Sequence, residues 1–409
     1  MESYKKGVPL KELKHRIEKL QSAMDKKGVS STLIIQKSDF FYFSGTVQQG
    51  WLYVPVKGEP LLMIFKEYER AKAETALNSV LSLVSPKKIP DALNERGYTI
   101  PEVLGMELDV LPVNLYFLYQ KIFEKSKIID FSTDIRMIRA VKSEYELNMI
   151  KDAAAMSDKL AARVPEFLEP GKSEVAFAGE LEACARSMGH QGIVRMRLWG
   201  SEIFYGHVMC GPSAAVPSYM ASPTGGCGTS PATGQGAGFN KIKKNQPVLV
   251  DYVFALNGYL SDHARIFSVG TLSDEFLRAH DAMLEVQRMV KSKAVPGILA
   301  GDLYDMMVDM ASDKGYEKYF MGVGDRRIRF TGHGVGLDLD EFPFIAKGQK
   351  LALEKGMVLA LEPKVIMPGR GVVGIENTHV VTENGLESLT KIREDIVDIS
   401  KAGAYAKTF

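Results

Sequence analysis

The sequence predicts an α/β N-terminal domain followed by an α+β C-terminal domain, on three observations. The chain has 409 residues, more than one hydrophobic core comfortably organises. Short apolar runs alternate with helical or loop stretches over roughly the first third, the pattern of an α/β layer. Beyond it, strand runs are interleaved with pairs of helices, which favours α+β over a parallel doubly wound sheet. The expected domains are residues 1–135 and 136–409, with the polar segment RAVKSEYEL at residues 139–147 marking the passage.

Leu13, Ile17, Leu20 and Met24 recur at three- and four-residue steps and stop at Gly28, which predicts an amphipathic helix with a glycine terminator. Strands are expected at residues 32–36 (TLIIQ), 60–65 (PLLMIF), 81–84 and 127–130. A helix carrying Leu147, Ile150, Ala154 and Met156 ends before Pro170 and Gly171. Further helices are expected at about residues 173–188, 273–293 and 302–314, with strands at 248–254, 357–361 and 372–381. Residues 211–238 (GPSAAVPSYMASPTGGCGTSPATGQGAG) form one long biased loop. Such loops are commonly functional, although a surface insertion explains the composition equally well.

The composition narrows the class. Hydrophobic residues at 45% and charged residues at 25% are ordinary for a globular protein, so the chain is expected to fold throughout. Lys plus Arg (51) nearly balance Asp plus Glu (50), which removes the basic footprint of a nucleic-acid or anionic-membrane binder. The charged N-terminus lacks the apolar stretch of a signal peptide, and no run reaches membrane-span length. A cytoplasmic protein acting on short peptides or small amides is the expectation. Cys184, Cys210 and Cys227 contain no CxxC pair and read as half-buried or buried thiols. The glycine-rich loop lacks the GK[ST] ending of a phosphate loop, and GPSAA and GTSPA miss the last glycine of a nucleophile elbow.

The chemistry is expected from five residues. Asp251 and Asp262 flank Asn257-Gly258, a hairpin turn signal that brings the two strands antiparallel and the two carboxylates near each other. Carboxylates that close on apolar strands repel unless a cation lies between them. His333 stands between glycines in FTGHGVGL, a setting that alone suits a turn residue more often than a ligand. Glu362 ends the apolar run MVLALEP and Glu376 lies within VVGIENTHVV, where a buried carboxylate is costly unless coordinated. Four carboxylates and one imidazole balance two divalent cations, and such a donor set suits Mn, Co, Fe or Zn. Two ions about 3.5–4 Å apart would bridge a water and lower its pKa for attack on a carbonyl.

The order of Asp251, Asp262, His333 in GHGVGL, Glu362 before Pro363, and Glu376 resembles the family of methionine aminopeptidase, proline aminopeptidase, prolidase and creatinase, which has the pita-bread fold. The N-terminal half resembles the creatinase and prolidase N-terminal domain, in its first helix and in DFFYFSG at residues 39–45. The resemblance implies that Asp251 chelates one metal, that Asp262 and Glu376 bridge both, and that His333 and Glu362 complete the other. It further implies that Glu362 shuttles a proton, that the substrate is an Xaa-Pro or related peptide, and that the chain is a homodimer.

Three positions depart from the family pattern. Asp340 and Ser218 stand where the peptidases carry histidines, and Gly374 stands where an arginine is often found. Asp340, with Glu341, is a candidate to meet a substrate cation, and His207 is a candidate replacement histidine, against the plainer reading of a packed strand-end residue. Arg265 reads either as support for the carboxylates or as a surface residue of the hairpin. His263 and His379 are expected to face away from the site. These departures leave open a non-peptide amide hydrolase or a lyase on the same fold, and more remotely a non-catalytic peptide-binding module.

Overall fold

The structure, a computed structural model, describes residues 7–202 and 205–401. It divides into two units, Met1–Arg139 and Ala140–Phe409. In the first, the helix Leu10–Lys27 buries Leu13, Ile17, Leu20 and Met24 and ends at Gly28, whose φ of 66° is the left-handed cap that glycine adopts freely. Six strands follow: β1 (Ser31–Ile34), β2 (Gly50–Pro55), β3 (Leu61–Ile64), β4 (Val80–Ser82), β5 (Val103–Met106) and β6 (Lys127–Asp130). They form one mixed sheet in the order β4-β3-β2-β1-β5-β6. The run expected to be strand to residue 36 stops at Ile34, because the Gln36 side chain accepts from Asp39 N–H and starts the helix Lys37–Ser44. The DFFYFS segment is therefore helical. Asp39, fully buried there, is met by Arg139 at 2.6 Å.

In the second unit the helix Glu144–Ala162 opens with a capping box made by Ser143 and Glu146. Strands β7 (Gly206–Cys210), β8 (Val248–Leu256) and β9 (Tyr259–Ser268) make an antiparallel sheet that β17 (Val397–Asp398) extends in parallel. A second sheet contains β10 (Phe330–Val335), β11 (Leu339–Ala346), β12 (Val358–Leu361), β15 (Asn377–Thr382) and β16 (Gly385–Ser388). A two-stranded ribbon pairs β13 (Lys364–Met367) with β14 (Gly371–Gly374). Helices Asp274–Lys293 and Ala300–Asp313 lie where the periodicity placed them, and apart from β17–β9 every strand pair here is antiparallel. The run expected as one strand over residues 372–381 is two, broken at Ile375 and Glu376. Glu376 leaves the ribbon to exchange backbone hydrogen bonds with Ala264 of β9.

The β8–β9 hairpin fixes the register on which the site depends. Asn257 (φ 53°) and Gly258 (φ 91°) both adopt the left-handed conformation of a two-residue turn whose twist matches the strands. Leu256 is thereby paired with Tyr259, Val253 with Asp262, and Asp251 with Ala264. Alternation then divides the faces: Val250, Tyr252 and Phe254 enter the core shared with Leu160 and Val164, while Asp251 and Asp262 share the opposite face. Gly258→Val, which forces a branched side chain into φ 91°, should cost about 1–3 kcal/mol in urea denaturation, with Gly258→Asn costing less. A valine variant of undiminished stability would show that the turn does not set the register.

Candidate metal centre

Each acidic side chain reaches the site from a separate strand or strand end. Asp251 projects from β8 and Asp262 from β9, where the Asp262 N–H donates to Thr378 Oγ1 at 2.9 Å and its carbonyl accepts from the same hydroxyl at 2.8 Å. His333 lies in β10 between Gly332 and Gly334. A Cβ on those glycines would fall 2.5 Å from the Ala360 carbonyl oxygen and 2.2 Å from that of Phe342. The glycines therefore admit the neighbouring strands' backbones close on either side of the imidazole. Glu362 follows β12 and is fixed by its N–H to the Thr331 carbonyl at 3.0 Å. Glu376 sits in the break between β14 and β15.

All five predicted ligands line one small cavity, of about 60 Å³, together with His207 and Asp340. That is room for an ion and a few waters. Asp262, His333 and Glu376 present ligand atoms all within 4.8 Å of one another. His333 Nε2 is 3.7 Å from both Asp262 Oδ2 and Glu376 Oε1, while Nδ1 faces Asp340 Oδ1 at 3.5 Å and the Gly334 carbonyl at 3.2 Å. Burial opposes protonation of this ring, but Asp340, Glu376, Asp262 and Glu362 together raise its pKa well above the usual histidine value. The arrangement suits a metal ligand at Nε2 oriented from behind at Nδ1. Asp262 Oδ1, buried, has no hydrogen-bond partner among the described residues, and burial with the charges of Glu376 and Asp251 pushes this carboxyl far above its usual range. An acidic oxygen without a donor, beside an imidazole and a second carboxylate, fits a divalent cation.

Around Asp251, Glu362 and Glu376 the chemistry differs, because a residue that the sequence reading passed over stands among them. Lys364 Nζ lies 3.0 Å from Asp251 Oδ2, 2.8 Å from Glu362 Oε2 and 2.7 Å from Glu376 Oε2. Burial disfavours its charge, yet the three carboxylates outweigh that and hold its pKa well above the ordinary lysine value. Glu376 feels the converse: burial works to raise its pKa, but Lys364 and His333 bring it down to about 2. For Glu362 burial prevails, and its pKa is pushed up to about 7. The balance of four carboxylates against two divalent ions thus omitted one buried cation. Its signal was present: Glu362 and Lys364 are two apart in an extended chain and so share a face. Lys364 also pairs across the ribbon with Gly374, where a Cβ would lie 3.1 Å from Lys364 Cγ and 2.3 Å from the Pro363 carbonyl oxygen. The glycine standing where an arginine was expected leaves the space the lysine stem uses.

The other candidates sort by contact. Asp340 lines the cavity and faces His333, whereas Glu341 is bound to Lys142 at 2.5 Å, so the pair expected to meet a substrate cation is divided. His207 is opposite Asp251 in the β7–β8 register, with Nδ1 3.1 Å from Thr224 Oγ1 and Nε2 3.3 Å from Gln235 Oε1. Both partners belong to the glycine-rich loop, whose Met220 and Ser222 line the cavity, so this loop is a wall of the site and not a surface insertion. Ser218 stabilises the loop through the Gly234 carbonyl, at 2.5 Å. Arg265 is buried, not on the surface: it donates to the carbonyls of Ala264, Glu376, Ile392 and Arg393 and to Asn377 Oδ1. His263 faces the helix Glu144–Ala162, 2.5 Å from Ser157 Oγ, and His379 meets Ser388 Oγ at 3.1 Å.

Two outcomes follow. Arg265→Leu leaves several buried acceptors without donors and should lower stability by on the order of 3–5 kcal/mol in chemical denaturation. A loss below about 1 kcal/mol would contradict that support. Burial lowers the pKa of His263 and of His379 to about 3, and that of His190 to about 4, from an ordinary 6.5. Unfolding lets them take up protons, so their contribution is fully present above about pH 6.5 and is lost as pH falls towards their folded values. The urea midpoint should fall between pH 6.5 and 4.5, and His263→Gln should flatten that slope. An unchanged slope in the variant would contradict the assignment.

The chain is similar to known proteins over nearly its whole length. Residues 16–141 match the creatinase/prolidase N-terminal domain. The Xaa-Pro dipeptidase of Pyrococcus furiosus is 28% identical over 390 residues, covering 94% of this chain and all of that protein. The solved prolidase of Pyrococcus horikoshii superposes with a TM-score of 0.78 at 25% identity, over 94% of this chain and 100% of that one. The Xaa-Pro dipeptidase structure from Bacillus anthracis gives 0.80 at 25% identity, over 94% and 99%. The second unit accordingly has the pita-bread fold expected from the order of its acidic residues. With residues 148–383 matching metallopeptidase family M24, more than half of its length, the chain belongs to that family.

Proposed function

We propose that this chain is a metal-dependent dipeptidase or aminopeptidase that hydrolyses short peptides with proline after the scissile bond. The observation that carries the reading is the group formed by Asp262, His333 and Glu376, with Asp262 Oδ1 lacking a hydrogen-bond partner among the described residues, inside a cavity shared with Glu362, Asp340 and His207. Relatives that align over nearly the whole chain are Xaa-Pro dipeptidases, which supplies the substrate class. Mn, Co, Fe or Zn suits the oxygen-rich donor set with one nitrogen. A bound divalent ion supplies Lewis acidity and lowers the pKa of a coordinated water.

The chain's own groups do the rest. Asp340 and the Gly334 carbonyl fix the His333 ring so that Nε2 points to Asp262 and Glu376. Glu362 lines the cavity and burial raises its pKa, which places it to accept and return a proton. His207, whose pKa burial lowers, ties the glycine-rich loop to β7 and shapes the wall against which a peptide would lie.

A second reading, hydrolysis of a non-peptide amide or a lyase reaction, is favoured by one observation. By the family resemblance, Asp340 and Ser218 stand where the peptidases carry histidines, and Ser218 is engaged with the loop backbone.

The test is turnover of a panel of Xaa-Pro and Xaa-Ala dipeptides and longer peptides, after chelation and after restoring Mn²⁺, Co²⁺ or Zn²⁺. Cleavage of Xaa-Pro dipeptides should be abolished by chelator and restored by metal, and Asp262→Asn should lower kcat/KM by about 10³-fold or more, equivalent to about 4 kcal/mol. No turnover with any metal would overturn the peptidase reading. A metal-restored activity confined to non-peptide amides would establish the second one.

A further inference from the structure

We propose that the Lys364 ammonium group is a built-in substitute for one of the two cations that the five acidic and histidine residues suggest, so that the chain binds a single divalent ion through Asp262, His333 and Glu376. The inference rests on the metal-dependent reading above and deepens it. Five candidate ligands divide into two half-sites that share Glu376. One consists of Asp262, His333 and Glu376, whose ligand atoms converge, and Asp262 Oδ1 there has no hydrogen-bond partner among the described residues. The other consists of Asp251, Glu362 and Glu376, and each of these presents an oxygen to Lys364 Nζ at 2.7–3.0 Å. An ammonium has three N–H donors and here meets three carboxylates, so its hydrogen-bonding capacity is used up.

Space decides the matter where charge does not. A divalent ion that took these three oxygens at about 2.0–2.2 Å would lie inside the volume the ammonium fills. The lysine has no easy retreat, since its side chain is 1% exposed. Its backbone is paired in the ribbon with Gly374, and the Lys364 N–H lies 3.4 Å from Met321 Sδ. Lys364 and Gly374 thus act as a pair: the residue without a side chain makes room for the one whose charge crosses the ribbon into the acidic cluster. Among the described residues Asp262 is met by no lysine or arginine, and the nitrogen nearest to it is that of His333, a ring that can itself ligate a metal.

The experiment uses the purified 409-residue chain loaded with Mn²⁺ and dialysed to constant metal content. Metal per chain is measured by elemental analysis and by calorimetric titration, and the Mn²⁺ electron paramagnetic resonance spectrum is recorded. The expected result is one Mn²⁺ per chain with a spectrum free of spin coupling. Lys364→Met, which keeps the aliphatic stem, and Lys364→Gly should take up two, with the spectrum of a coupled pair. Two Mn²⁺ on the parent chain would overturn the substitution while leaving the metal-dependent reading intact. None on the parent would overturn both. Folded variants, by circular dichroism, that still bind one would show that the half-site around Lys364 is not a metal site and would overturn the proposal. Should neither variant fold, the count on the parent chain decides it.

Discussion

Four carboxylates held out of water on facing strands repel one another, and each carries a desolvation cost that only a cation or a proton removes. Much of the second unit is arranged around that constraint. Asp251, Asp262, Glu362 and Glu376 come from β8, β9, the end of β12 and the break before β15, and they converge only because the strands hold strict register. On one side the positive charge is supplied from inside the fold, by Lys364, and on the other we propose that a metal ion supplies it. Glu376 belongs to both sides, and its position is correspondingly the most constrained. Its backbone pairs with Ala264, its carbonyl accepts from Arg265, and its carboxylate meets Lys364 and His333.

The supports behind the cluster follow the same logic. Arg265 gathers carbonyls from β9, from the Glu376 turn and from the Ile392–Arg393 segment, so one buried guanidinium fixes three stretches of chain around the acidic residues. Asp340 is held in a left-handed conformation (φ 59°), tolerable for an aspartate, and there it faces the back of the His333 ring. The glycine-rich loop contributes a wall because His207 engages Thr224 and Gln235 from it. A site made this way needs few residues that touch substrate and many that hold those few in place.

Much of this was legible in the sequence, wherever a local rule determines geometry. The Asn257-Gly258 turn sets the hairpin register, so the approach of Asp251 and Asp262 follows from counting along the chain. Alternation likewise placed His263 and His379 away from the cluster, where they meet Ser157 and Ser388. What escaped were features set by pairing between distant segments. Lys364 in KVIM resembles any strand lysine, and only its ribbon partner Gly374 and its shared face with Glu362 disclose an inward charge. Glu341 looked like a companion of Asp340 until Lys142, nearly two hundred residues earlier, was seen to occupy it. The single strand expected over residues 372–381 failed for the same reason: the bond between Glu376 and Ala264 outcompetes local β-propensity.

On our proposal the buried acidic cluster is neutralised by one internal ammonium and one metal ion. Anomalous diffraction from crystals grown with Mn²⁺ tests it most directly, since it locates each ion and the lysine at once. One anomalous peak is expected, bounded by Asp262, His333 and Glu376, with Lys364 Nζ retained between Asp251 and Glu362. Two peaks with the lysine displaced from the carboxylates would contradict it.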